Sequence, residues 1–152
     1  MKLFALLITI LLSVSCNGSR TEEFVTYIRS ADELFRQGKD EEAMNALVKA
    51  EKCYDDDIPS SALGSLKMRK GDIYYRYFDY AEAIGSYEEG AEIFLASGDT
   101  LNYCNALLLL CDASILNLDA SRAHKCISIM KENARFYHGQ SEHAYHLCRI
   151  KL

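Results

Sequence analysis

Tryptophan is absent from this chain of 152 residues, and proline occurs once, at Pro59. Proline breaks helix interiors, so a chain with so little of it has almost nothing to interrupt long helices. No two of the six cysteines are spaced Cys-x-x-Cys, which removes the close pairs that a zinc site wants. Basic residues are in the minority, with 17 Lys and Arg against 22 Asp and Glu and a formal charge of -5, so no stripe for nucleic acid is expected. Also missing are a Ser-His-Asp order, a glycine-rich phosphate loop and paired carboxylates in a cleft context, so the chain reads as no enzyme and as needing no cofactor. Asp55-Asp56-Asp57 lacks the alternating ligands and the glycine of a calcium loop and reads as a solvated turn. The largely apolar run from Leu3 to Leu12 is too short to cross a bilayer as a helix.

What is present is a repeat. Ala43, Ala83 and Ala123 stand 40 residues apart, and other columns keep the same period. Ala31, Gly71 and Cys111 form a small-residue column, and Asp32, Asp72 and Asp112 an acidic one. Phe35, Tyr75 and Ile115 form a bulky apolar column, as do Leu47, Tyr87 and Ile127. A fixed period of this size signals stacked supersecondary units, each a helix, a tight turn and a second helix.

Within the middle unit, Gly71-Asp72-Ile73-Tyr74 is followed by Asp79-Tyr80-Ala81-Glu82-Ala83 and then by Tyr87, four residues after the Ala. This resembles the tetratricopeptide (TPR) family, whose pattern runs aromatic, Leu-Gly, Tyr and then Ala-x-x-x-Phe. The first unit keeps Tyr27, Ala31, Leu34, Gly38, Ala43, Leu47 and Ala50, and the third keeps Leu107, Leu110, Cys111, Ala123 and Ile127. Lys67 and Lys70 depart from the pattern and suggest a locally rearranged helix there. The family's usual period is about 34 residues, so the excess here must lengthen helices or loops. The resemblance implies an all-α, right-handed superhelical solenoid of antiparallel helix pairs. It has about three repeats, near 24–59, 64–99 and 104–139, and a terminal helix over 141–152.

Helix signals agree with that reading. Helices are expected from about Thr21 to Gln37, Asp40 to Tyr54, Ser60 to Tyr77, Asp79 to Ser97, Leu101 to Asn117, Asp119 to Tyr137 and Ser141 to Leu152. Gly38 is the expected stop of the first, Asp40 the expected N-cap of the second, and Asp79 with Glu82 a capping pair for the fourth.

The N-terminus reads as a lipoprotein signal, with an ordinary secretory signal or an uncleaved anchor as the alternatives. Met1-Lys2 is a basic start, Leu3 to Leu12 the apolar core, and Leu12-Ser13-Val14-Ser15-Cys16 resembles a lipobox, with Ser13 where Leu is usual. Residues 1–15 would be removed and Cys16 lipidated, leaving a linker over 16–20 and a helical domain over 21–152 held at a bacterial envelope membrane. Loss of Lys2 would move the formal charge from -5 to -6.

Family resemblance places ligand contacts on a concave face lined by the first helices: Asp32, Phe35 and Arg36, then Met68, Asp72, Tyr75 and Arg76, then Asn105, Leu108 and Asp112. The expected ligand is a protein partner's peptide or helix. Mid-helix Asp is a poor helix former, so its threefold return asks for a reason. One reason is an acidic ladder for a basic partner; the other is a solvated face, or pairing with Arg36, Arg69 and Arg76. Under the first, Asp72→Ala would weaken binding and spare stability. Beyond Cys16 the five cysteines Cys53, Cys104, Cys111, Cys126 and Cys148 are odd in number and cannot all pair internally in an exported chain; Cys104 and Cys111 share a helical face and read as buried small residues, with a disulfide from Cys104 or Cys126 to a neighbouring helix as the alternative. His138, His143 and His146 read as surface residues rather than metal ligands.

The leading expectation is a membrane-tethered adaptor. A second is the extracytoplasmic sensor part of a longer signalling protein, resembling membrane-bound TPR regulators of Bacteroides-like bacteria, because Ala144, Leu147 and Ile150 fall where a fourth unit would begin. A third is a sugar binder using Tyr74, Tyr75 and Tyr77.

Overall fold

A computed structural model describes residues 20–133 and 135, and the described residues are all-helical apart from turns. Helix α1 spans 20–36, α2 Asp40–Cys53, α3 Ser60–Arg76, α4 Tyr80–Ser97, α5 Thr100–Leu116 and α6 Ala120–Glu132. The signal segment, Cys16, the terminal helix expected over 141–152, Cys148 and the three C-terminal histidines lie outside the described residues. The chain divides into two compact units between Pro59 and Ser60, inside the loop that the proline marks.

The first unit pairs α1 with α2. Phe24 and Tyr54 bring their rings to 6.2 Å, and Arg20 bonds the Lys52 carbonyl. Phe24, Ala31, Ala43, Ala46, Leu47 and Ala50 are buried. Asp40 is not the N-cap of α2. Lys39 holds that position and makes no side-chain cap bond, while Asp40 is the first helical residue and is buried. The column that caps the later helices, Asp79 and Asp119, carries Lys39 here. Acidity lies instead in the three residues that follow, Asp40, Glu41 and Glu42 of the first turn, where carboxylates interact favourably with the helix dipole.

In the second unit α3, α4, α5 and α6 pack in chain order, each against its sequence neighbour. Connections of two or three residues make these neighbours antiparallel, so α4 and α6 run the same way. The length of the period sits in the helices, with 17 residues in α3 and 18 in α4. No rearrangement occurs at Lys67 and Lys70: α3 is continuous, and Lys67 pairs with Glu89 of α4 at 2.6 Å.

Close approach of α3 and α4 depends on three glycines. A Cβ at Gly71 would stand 2.4 Å from the Tyr87 ring, one at Gly64 2.8 Å from the Phe94 ring, and one at Gly90 2.7 Å from Met68 Sδ. Where the second unit places Gly71 against Tyr87, the same columns hold Ala31 with Leu47 and Cys111 with Ile127. Small with large and medium with medium conserves the filled volume of each hairpin. The main core of the unit joins Ala83, Ile84 and Tyr87 of α4 to the buried face of α5 and to Ala123, Cys126, Ile127 and Met130 of α6. Cys104, Cys111 and Cys126 are buried in it as thiols.

Turns repeat as faithfully as helices. Lys39, Asp79, Asp99 and Asp119 each send their backbone N–H to a carbonyl five residues back, on Leu34, Tyr74, Phe94 and Ser114. The residue before each is left-handed: Gly38, Phe78, Gly98 and Leu118. This is the Schellman ending of a helix, which glycine adopts without strain. Each Asp then accepts the N–H of the residue three along, ending one helix and capping the next.

Candidate functional site

Most of the expected face is occupied by internal contacts. Asp72 on α3 is half-buried, and Tyr87 of α4 donates its phenol to Asp72 Oδ1 at 2.8 Å. Tyr75, also on α3, donates to Asp112 Oδ2 of α5 at 2.5 Å. One bond therefore closes a hairpin and the other joins α3 to the next hairpin. Met68 packs against both buried clusters, and Leu108 is buried within the larger one. Arg76 is exposed and Asn105 half-buried. Asp32, Phe35 and Arg36 lie on α1, in the other unit, where exposed Arg36 pairs with Glu33 at 2.6 Å.

Burial sets the electrostatics of this ladder. Desolvation raises the Asp72 carboxyl above its ordinary value, and it outweighs the lowering by the Tyr87 bond and by Arg69 and Arg76. Tyr87 is driven far above the ordinary phenol value, first by its burial and then by the Asp72 charge. A neutral phenol donating to a carboxylate satisfies both groups, and no buried side-chain oxygen or nitrogen among the described residues lacks a partner.

A different surface of the second unit is open. Helices α4 and α6 flank a trough floored by α5, with Tyr103, Leu107 and Leu110 at the bottom. Its α4 wall carries Glu88, Ala91, Glu92 and Leu95, and its α6 wall Arg122, Lys125, Cys126 and Ile129. An adjoining hollow shares Leu95, Tyr103 and Ile129 and extends past Gly98 and Thr100 to Glu132 and Asn133. Leu95 is 61% exposed, and desolvation raises the half-buried Tyr103 phenol.

The trough is polar at its lips and closed at one end. Arg122 reaches across to Glu88, and it also donates from Nε to Asp119 Oδ2 at 3.1 Å. Asp119 is held below the ordinary carboxylate range by the Arg122 backbone N–H first and its guanidinium second. Beyond that bridge the α4 lip is acidic at Glu92 and the α6 lip basic at Lys125, both exposed. Among the described residues no group of three or more His, Cys, Asp or Glu is placed to hold a metal ion.

Repeat columns did not announce this trough, but departures from them do. The register partners of Leu95 are Asp55 and Arg135, and those of Ile129 are Glu89 and Lys49. Lys49 and Glu89 lie on helices α2 and α4, so a helix accepts charge at the Ile129 position, whereas Asp55 lies in the loop after α2; here Ile129 packs against the edge of the main core and Leu95 is exposed. No family model, curated protein or solved structure matches the chain.

Proposed function

We propose that this chain is a non-enzymatic adaptor of the tetratricopeptide type, a solenoid of helix pairs that holds a protein partner. A lipid on Cys16 would tether it to a bacterial envelope membrane. The observation that carries this reading is the open trough between α4 and α6, whose exposed Leu95 and half-buried Ile129 occupy register positions that are charged elsewhere. An apolar trough between helices with charged groups at its lips is a place where a partner's apolar side chains can be buried. The acidic ladder acts instead as internal mortar, because Asp72 and Asp112 hold Tyr87 and Tyr75. No helix among the described residues is long and apolar enough to cross a membrane, so attachment in this reading rests on the lipid.

Affinity capture from detergent-solubilised envelopes, with the chain from Cys16 onward as bait, tests the adaptor. A protein retained by the folded chain and lost from a heat-unfolded control, then shown to bind directly in purified form, supports it. Recovery of nothing beyond the control overturns it. Metabolic labelling with a fatty-acid analogue tests the anchor separately: label is expected on the wild type and absent from Cys16→Ala.

A further inference from the structure

We infer that the trough between α4 and α6 receives one amphipathic helix, with an apolar stripe against Leu95, Tyr103 and Ile129, a basic flank toward Glu92 and an acidic flank toward Lys125. This rests on the adaptor reading and specifies the partner's chemistry. Two parallel helices over a third form a groove that a fourth helix completes, the helix-in-groove mode of recognition. From Arg122 to Asn133 the α6 wall runs about 16 Å at the α-helical rise, room for about three turns of a partner. A strand would leave its backbone groups facing the side chains of α4 and α6, whereas a helix brings its own backbone bonds satisfied. The charge of the lips selects the flanks, because like charges facing across the groove would be desolvated together. The Glu88 to Arg122 bridge closes one end, so the helix seats from the Gly98 end.

Three designed peptides of about 15 residues, long enough to hold helix, share one leucine stripe and test the inference by fluorescence anisotropy with the full mature chain. The first has Lys along one flank and Glu along the other, the second Lys on both, and the third Glu on both. The mixed peptide is expected to bind tightest, and Leu95→Asp with Ile129→Glu to weaken it by about tenfold or more. Circular dichroism and the melting point check that the double variant folds, and Leu95→Asp alone, at an exposed position, is expected to weaken binding by several-fold with both unchanged. Glu92→Lys leaves both lips basic at the level of Lys125, with Glu132 further along α6, and is expected to switch the preference to the Glu-flanked peptide. Equal affinities, no binding, or an unmoved preference in Glu92→Lys overturns the inference. So does a wild-type dimer that Leu95→Asp with Ile129→Glu dissociates in light scattering, which would make a second copy the occupant. Envelope capture unaffected by the double variant would leave the adaptor standing without this site.

Discussion

Asp72 sits between two demands, since its carboxylate is the acceptor for Tyr87 yet its charge is unwelcome where it lies. A carboxyl raised on folding contributes stability that is fully present below its unfolded value, about 3.9, and lost as pH rises through the folded value. Near neutrality the ionised Asp72 is therefore a cost that its neutral isostere escapes. Asp72→Asn keeps an oxygen for the phenol, so it is expected to raise the melting temperature near pH 7 and to lose that advantage in acid below the carboxylate range; melts at both pH values check this. Asp119 has the opposite sign: its lowered value supports the fold at neutral pH and ceases to do so as acid protonates it. Asp72→Ala is not the silent control that a free groove carboxylate would have been. It strands a buried phenol, at a cost of about 1–3 kcal/mol.

At the scale of the element, the hairpins of the second unit are set by what faces what. Gly71→Ala pushes a methyl into the Tyr87 ring, an overpacking expected to cost about 1–3 kcal/mol. Tyr87→Leu vacates that space and copies the Ala31 and Leu47 combination of the first unit. Combining them is expected to cost less than the two single losses added, with a coupling of about 0.5–3 kcal/mol in a double-mutant cycle read by urea unfolding. Additive losses would show that the ring does not meet the methyl. These elements were readable in advance: the expected helix ends fall within one or two residues of the observed ones as far as α5, because Gly38, Asp79, Gly98 and Asp119 announce them chemically. Lys39 misled, since its column is a cap only where the residue is Asp. Phe78 and Leu118 gave no warning either. Left-handed backbone at a bulky residue costs about 1–2 kcal/mol; both side chains are largely exposed, at 77% and 90%, and the backbone bonds of Asp79 and Asp119 to Tyr74 and Ser114, with the edge-on Phe78 and Tyr80 rings in the first turn, act against that cost. Sequence pattern alone would have put glycine there.

Across the molecule, period and burial were legible while the trough was not, for one physical reason. Repeating columns report what every hairpin needs, so Asp32, Asp72 and Asp112 pointed to a shared structural duty; two of the three hold phenols. The trough is specific to one place in the chain and shows in sequence only as a break in register, at Leu95 and Ile129. Because Tyr75 bonds Asp112 across 37 residues, α3 is tied to α5 as well as to α4. Native-state hydrogen exchange is expected to show α3, α4 and α5 opening together, with Tyr75→Phe lowering the protection of α3 by about 1 kcal/mol. Unchanged α3 protection would remove that bond from the account. The same bond sets where the chain can be cut. A piece ending after α4 takes the Asp112 acceptor from Tyr75, and one beginning at α5 takes the Tyr75 donor from Asp112, so the smallest run of helices that keeps this bond is a three-helix piece straddling a repeat boundary.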